Sequence, residues 1–345
     1  MKKKPVSIAH FGEFSLIDRI SKILPKINDP NLLLDIGDDT AVIKIDERRA
    51  ILLTCDIQIE GQHFHLDYMT PYQIGKRAMA VNLSDIAAMG GTPTYALVSL
   101  GLPKSFSIED YDKLFQGMRD ELYPHQAAIV GGNLAQSADK LIVDITLLGE
   151  INLPHYLTRG GAQVGDRIFI SGKLGASGAG FQVLQKYGIS YPGKYQAQVD
   201  AHILPSPRIE LGKRLARIDQ ITAMIDLSDG LAGDLYHICE RSRVGAEIYE
   251  ERLPLADNLQ EISQLTAKSL PDIALHSGED YELVFTAHPK ISNEAIEAIG
   301  NSLSIPLTEI GKIISSSEGY YLVNSQGEKT MLQPKGWDHF AGEKK

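Results

Sequence analysis

The chain has 345 residues, 43% of them hydrophobic and 23% charged, and a formal net charge of −10. That length suits two domains and the composition excludes a disordered chain, while the acidic balance argues against nucleic acid, whose binders need a cationic face to release counterions. Two cysteines, Cys55 and Cys239, lie far apart outside any CxxC pair, which excludes a disulfide framework and points to a reducing cytoplasm.

The first twenty residues carry basic groups, but Glu13 and Asp18 interrupt the apolar stretch. No signal peptide is expected, and no run approaches the ~20 apolar residues that span a membrane. Phe14, Ile17, Ile20 and Leu24 recur at helical spacing before Pro25 and predict an amphipathic helix. Short apolar runs at 32–36, 41–45 and 50–55 predict strands. From Thr70 to Met89 the pattern is helical, with Pro71 in the first turn and Asp85 near the end, as one helix or two short ones. Tyr95, Leu97 and Ser99 alternate as a strand; Ser107 and Asp110 open a helix that Pro124 closes; 127–130 and 141–150 read as further strands.

The turn-rich stretch LTRGGAQVGD then separates two parts, placed at 1–155 and 156–345. The second part begins with a strand at 167, a glycine-rich turn and a helix. A helix follows Pro205 and Pro207, then a strand ending at Asp226, a helix from Leu231 to Arg241, a loop, and strands in YELVFTA and PLTEIGKII. Such alternation predicts a mixed α/β first domain and a layered α/β second one.

Five apolar runs are followed directly by an acid or amide: Asp39, Asp56, Asp85, Asn133, and Asp226 with Asp229. Carboxylates at strand ends, where loops converge, collect hard oxygen ligands for Mg²⁺ around a polyphosphate. Several of them together, with no Lys or Arg adjacent in sequence, repel one another unless a cation holds them. Singly, each has an ordinary alternative. Gly37-Asp38-Asp39 fits a β-turn, and Asp226 to Gly230 fits a helix N-cap, whose amides would also suit a phosphate. GKLGASGAG lacks a Walker ending and fits either a phosphate loop or close helix–sheet packing. Arg159 fits a phosphate clamp or a solvated side chain. His63 and Glu279 stand where they could reach a ligand; Trp337 equally fits a packing anchor. The sequence contains no convincing Ser/His/Asp or Cys/His constellation.

Together GEFSLIDRI, IGDDTAV, TCDIQIEGQHF, AVNLSDIAAMGG, TRGGAQVGD, PSPR, IDLSDGL, GEDYEL and KGWDHF occur in an order and spacing that resembles the thiamine-monophosphate kinases, from Gly12 to Phe340. The resemblance implies a two-domain aminoimidazole ribonucleotide synthetase-like α/β (α+β) fold whose N-terminal sheet pairs across a homodimer. It implies ATP-dependent phosphorylation of thiamine monophosphate with several Mg²⁺ ions. Asp39, Thr54, Asp56, Asp85 and Asp226 would then be metal ligands, Cys55 and Asn133 would stand at metal-ligand positions, and Asp229 would hold a further ion, with Asp56, Asp85 and Asp226 central to catalysis. Gly132, Asn133, Arg159 and Ser228 would contact ATP, and His63, Glu279 and Trp337 the thiamine monophosphate. The chain departs from the family pattern at Asn133-Leu134, where Asp-Thr is usual, and at Cys55, where a second Thr is usual; a thiol is a poor ligand for Mg²⁺. Two rivals stay open: another ATP-using enzyme of the superfamily, and a nucleotide-binding relative without turnover.

Overall fold

The computed structural model describes residues 12–25, 27–266, 268–334 and 336. After helix α1 (Glu13–Ile23) come strands β1 (Leu32–Leu34), β2 (Ala41–Lys44) and β3 (Arg49–Ile59), helix α2 (Pro71–Ala88), strand β4 (Thr92–Leu102), helix α3 (Ile108–Leu122), and strands β5 (Ala128–Gln136) and β6 (Ile142–Asn152). The six strands form one sheet in the order β1-β2-β3-β6-β4-β5, antiparallel except where β5 runs parallel to β4 at the edge. The second half contributes β7 (Arg167–Ser171), α4 (Ala176–Tyr187), α5 (Gln196–Ile203), α6 (Ile209–Leu215), β8 (Ile221–Asp226), α7 (Leu231–Ser242) and β9 (Val244–Tyr249). It ends with α8 (Leu259–Thr266), α9 (Leu270–His276), β10 (Leu283–Ala287), α10 (Asn293–Leu303), β11 (Leu307–Ser315), β12 (Tyr320–Val323) and β13 (Lys329–Met331). Its seven strands order as β13-β12-β9-β11-β7-β10-β8, with β9 and β12 the parallel pair.

Alternation along β3 divides the first sheet into a covered and an open face. Ala50, Leu52 and Thr54 turn inward, with Val143, Ile145 and Leu147 of β6 and Ala96 and Val98 of β4, and α2 covers this face. The opposite face keeps Ile43, Ile57, Tyr95 and Leu97 exposed. Thr70 starts α2 with a capping box: it accepts a hydrogen bond from the Gln73 N–H, while the Gln73 side chain accepts one from the Thr70 N–H at 2.9 Å. Pro71 occupies the first turn, where its missing N–H costs nothing. α2 is one continuous helix, and it is buried along most of its length because the first sheet, α3 and the second half's α6 and β8 pack around it. Gly212 of α6 permits that approach, since a Cβ there would lie 2.0 Å from the Ala87 carbonyl oxygen. One core cluster accordingly joins both halves, with Leu83 and Ile86 of α2 in the same body as Leu211 and Met224.

Three expectations change. The segment read as a loop after α7 contains β9, an interior strand of the second sheet, and helices α8 and α9. Glu247 in β9 conceals the strand from a hydropathy reading, and it is tolerated there because Lys312 (3.1 Å) and Lys329 meet its carboxylate. Strand β5 extends through Gly132 and Asn133 to Gln136, so these residues lie within an edge strand rather than in a turn beyond it. Asp85 sits in the last turn of α2 and not at a strand end.

Candidate metal and substrate site

Four elements deliver the acidic side chains. Asp39 comes from the turn between β1 and β2, Asp56 from β3, Asp85 from the last turn of α2, and Asp226 from the end of β8. Carboxylate oxygens of Asp39, Asp85 and Asp226 all lie within 4.8 Å of one another. Asp56 adjoins the group through Asp85. Hydroxyls orient two of the carboxylates: Thr54 Oγ1 donates to Asp85, and Ser84 Oγ donates to Asp226 at 2.6 Å. The latter bond runs from α2 to β8, so the site is built across the two halves of the chain.

Contrary to the charge reading of the sequence, a cation is present. Arg159 is largely buried and donates through Nε (3.1 Å) and Nη2 (2.5 Å) to Asp39 Oδ1, while its backbone N–H donates to Asp38 at 3.1 Å. It is neither a solvated arginine nor free of the acids. One guanidinium does not balance the group. Burial, and then the neighbouring charges, raise Asp38 to about 7, Asp56 to about 6 and Asp226 to about 8, and burial also pushes Asp39 and Asp85 upward. Asp39 Oδ2 is buried without a hydrogen-bond partner. An unpartnered, desolvated carboxylate oxygen in a group whose candidate ligand atoms are all carboxylate oxygens fits a hard divalent cation such as Mg²⁺.

Asp234 was not singled out in the sequence. Buried in the first turn of α7, it accepts from the N–H groups of Asp229 (3.1 Å) and Gly230 (3.0 Å), so it shapes the loop after Asp226. The expected capping of α7 by Ser228 or Asp229 is not formed: Gly230 is the N-cap residue and no side chain caps the first turn. The legible signal was an acid in the first turn, where the helix dipole favours one. Asp229 stands beside Asp234, outside the three-carboxylate group, and Gly336 of the returning C-terminal segment lies against it. Trp337 lies outside the described residues.

The GEDYE segment divides three carboxylates among three tasks. Glu279 pairs with Arg77 of α2. Asp280 accepts from the N–H groups of Gly175 (2.7 Å) and Ser177 (3.0 Å) at the start of α4. Its carboxylate occupies the place a phosphate would take, which removes GKLGASGAG as a phosphate loop and leaves close packing as its role. Glu282 meets Arg208 and Ser171. Glu279 donates its N–H to the Ser228 carbonyl at 2.7 Å, tying its loop to the acidic one. His63 contributes to the electrostatic environment of Glu279, and its Nδ1 accepts from the Ile59 N–H at 3.0 Å, which places the ring proton on Nε2.

Cys55 is a correction. Side chains alternate along β3, so its thiol points to the face opposite Thr54 and Asp56, donating to Asp144 at 3.3 Å. It cannot join them as a side-chain ligand, and the exchange of Thr for Cys leaves their donor set intact. Gly132 and Asn133 lie exposed in edge strand β5, and among the described residues the Asn133 side chain makes no hydrogen bond to the acidic group.

Two family descriptions cover the chain: AIR synthase related protein, N-terminal domain, at residues 37–151, and AIR synthase related protein, C-terminal domain, at 163–324. Thiamine-monophosphate kinase of Aquifex aeolicus is 35% identical across 96% of this chain and 99% of its own length. That of Bacillus subtilis is 33% identical across 94% and 98%. The solved complex of AaThiL with AMPPCP and TMP superposes with a TM-score of 0.83 at 33% identity, covering 97% of this chain and 99% of that one. Among the described residues no helix is long and apolar enough to cross a membrane. The chain belongs to the thiamine-monophosphate kinase family of the AIR synthase related proteins.

Proposed function

We propose that the protein transfers the γ-phosphoryl group of ATP to thiamine monophosphate, giving thiamine diphosphate and ADP. The observation that carries the chemistry is the convergence of Asp39, Asp85 and Asp226, distant in sequence, into one buried oxygen cluster with an unpartnered acceptor. The choice of substrates is supported by the full-length likeness to proteins of that name and by the AMPPCP and TMP bound in the AaThiL complex.

A phosphate monoester has a second pKa near 6 and attacks as a dianion, so no general base is required. The task is to hold two anions in line against their repulsion. In this reading Asp39, Asp56, Asp85 and Asp226 hold Mg²⁺, which when bound supplies charge neutralisation between donor and acceptor phosphates. Thr54 and Ser84 orient two of those carboxylates. Arg159, already aimed at Asp39, reaches phosphate oxygens from the connection between β6 and β7; Ser228 and Asp229 lie on the loop after Asp226; His63 and Glu279 face the acceptor. Residues 1–155 would supply most of the nucleotide and metal site and 156–345 would complete it. The exposed apolar face bearing Ile43, Ile57, Tyr95 and Leu97 supports a homodimer formed through the first sheet. A cytoplasmic location accords with the need for ATP.

The test is purified protein with ATP, Mg²⁺ and thiamine monophosphate, following nucleotide and thiamine products together. ADP and thiamine diphosphate in equal amounts are expected. AMP, or ADP formed only with another acceptor, would overturn the assignment.

A further inference from the structure

Arg77 is the largest of the fully buried side chains, 1% exposed in the middle of α2. Nothing in the acidic site uses it. Its guanidinium donates instead to two acceptors in the other half of the molecule: the backbone carbonyl of His202 at the end of α5, and Glu279 Oε1. Glu279 Oε2 lies 3.4 Å from His202 Nδ1, and the same nitrogen meets Ser177 Oγ at 3.2 Å. The His202 ring rests against Phe181, with ring centroids 5.3 Å apart. Glu279 is thus held by α2 and α5, with α4 backing His202.

Its backbone is also constrained. Gly278, Glu279 and Tyr281 have φ of 55°, 60° and 49°, and left-handed residues other than glycine need surrounding structure to hold them. Main-chain bonds from Glu279 to Ser228 (2.7 Å) and from Tyr281 to Leu227 (2.9 Å) supply that restraint and lock the loop to the one carrying Asp226 and Asp229.

Cohesion alone does not account for the arrangement. Apolar side chains of similar volume would join α2 to α5 at least as well, because desolvating an ion pair offsets most of its attraction. What an arginine adds is a fixed, ionised carboxylate. Glu279 keeps 28% of its side chain open, and the neighbouring guanidinium overcomes burial and holds its carboxyl down at about 2.

We propose that Arg77, backed by His202, is a positioning residue for acceptor recognition. It clamps Glu279 at one oxygen and in one backbone conformation, so that the open side of the carboxylate is presented to the acceptor in register with the acidic loop. This rests on the reading of Glu279 as acceptor-facing, and the product assay of the unaltered enzyme tests the proposed reaction separately.

The experiment measures kcat and the KM of each substrate for Arg77→Met, Glu279→Gln and the double variant, with thermal melting of each. Arg77→Met is expected to raise the KM for thiamine monophosphate about tenfold or more, the scale of a lost hydrogen bond to a charged group, with the KM for ATP within about twofold. In the Glu279→Gln background the same substitution should change the acceptor KM by no more than about twofold, because Arg77 acts through that carboxylate. Arg77→Lys keeps the charge but not the fork and should recover part of the acceptor KM. If Arg77→Met does not fold, Arg77→Lys in the two backgrounds carries the same comparison. The proposal is overturned if both KM values and kcat move together with the melting temperature, or if the Arg77 effect is undiminished when Glu279 is already replaced.

Discussion

Two buried carboxylate sites lie on either side of the loop between Asp226 and Gly230, and they titrate in opposite directions. At Glu279, Arg77 supplies the countercharge and the carboxyl falls to about 2. At Asp39, Asp85 and Asp226 burial and mutual repulsion dominate, Arg159 balances only part of the charge, and Asp226 rises to about 8. The first site contains its own cation and is complete as folded. The second is built for one that must arrive from outside. Sufficient positive charge beside a partly open carboxylate makes a recognition element, and its shortfall among more deeply buried ones makes a metal cradle.

The sharpest way to break this comparison is Asp226→Asn. Removing one preorganised charge-stabilising group from the reaction centre should cut turnover by about 10²–10³-fold or more. The metal-free protein should nevertheless become more stable, by on the order of 1–2 kcal/mol, because the cost of burying or protonating an acid among other acids is gone while an oxygen remains to accept from Ser84. Denaturant unfolding alongside the rate assay checks both; a destabilised variant would mean that Asp226 is already compensated.

A smaller effect is expected from pH. An aspartate raised from 3.8 to about 8 on folding binds more protons in the folded state across that interval, so its contribution makes stability fall as pH rises from about 4 to about 8. Glu279, lowered from 4.5 to about 2, works the other way, and its contribution is lost only as pH falls through about 4 to about 2. Between pH 5 and 8 the melting temperature of metal-free protein should therefore decline, and saturating Mg²⁺ should flatten the decline. A slope that Mg²⁺ leaves unchanged would place the titrating groups elsewhere.

The smallest effect is predicted for Cys55→Thr, which restores the residue usual in the family. With the side chain on the outer face of the sheet, stability and the Mg²⁺ dependence of the rate should stay within about 0.5 kcal/mol of the parent. A clear gain in apparent Mg²⁺ affinity would show that the outer face communicates with the site.

Much of the fold was readable because its signals are local. Thr70 and Pro71 mark the start of α2, Ser107 the start of α3, and the apolar runs before Asp39 and Asp226 mark β1 and β8. β9 was not readable, since the lysines that neutralise Glu247 arrive from β11 and β13. Likewise the acids of the site could be named, but their neighbours could not. Arg159 lies 120 residues from Asp39 along the chain, Ser84 142 residues from Asp226, and Arg77 202 from Glu279.

The one-dimensional pattern determined most of the elements and which side chains can carry negative charge, because propensity, capping and hydrophobic period act over a few residues. Only the tertiary structure decided which of those carboxylates would be neutralised from within and which would be left to a metal. Desolvation and Coulomb interaction depend on distance in space, and packing α2 between the two halves is what sets those distances here.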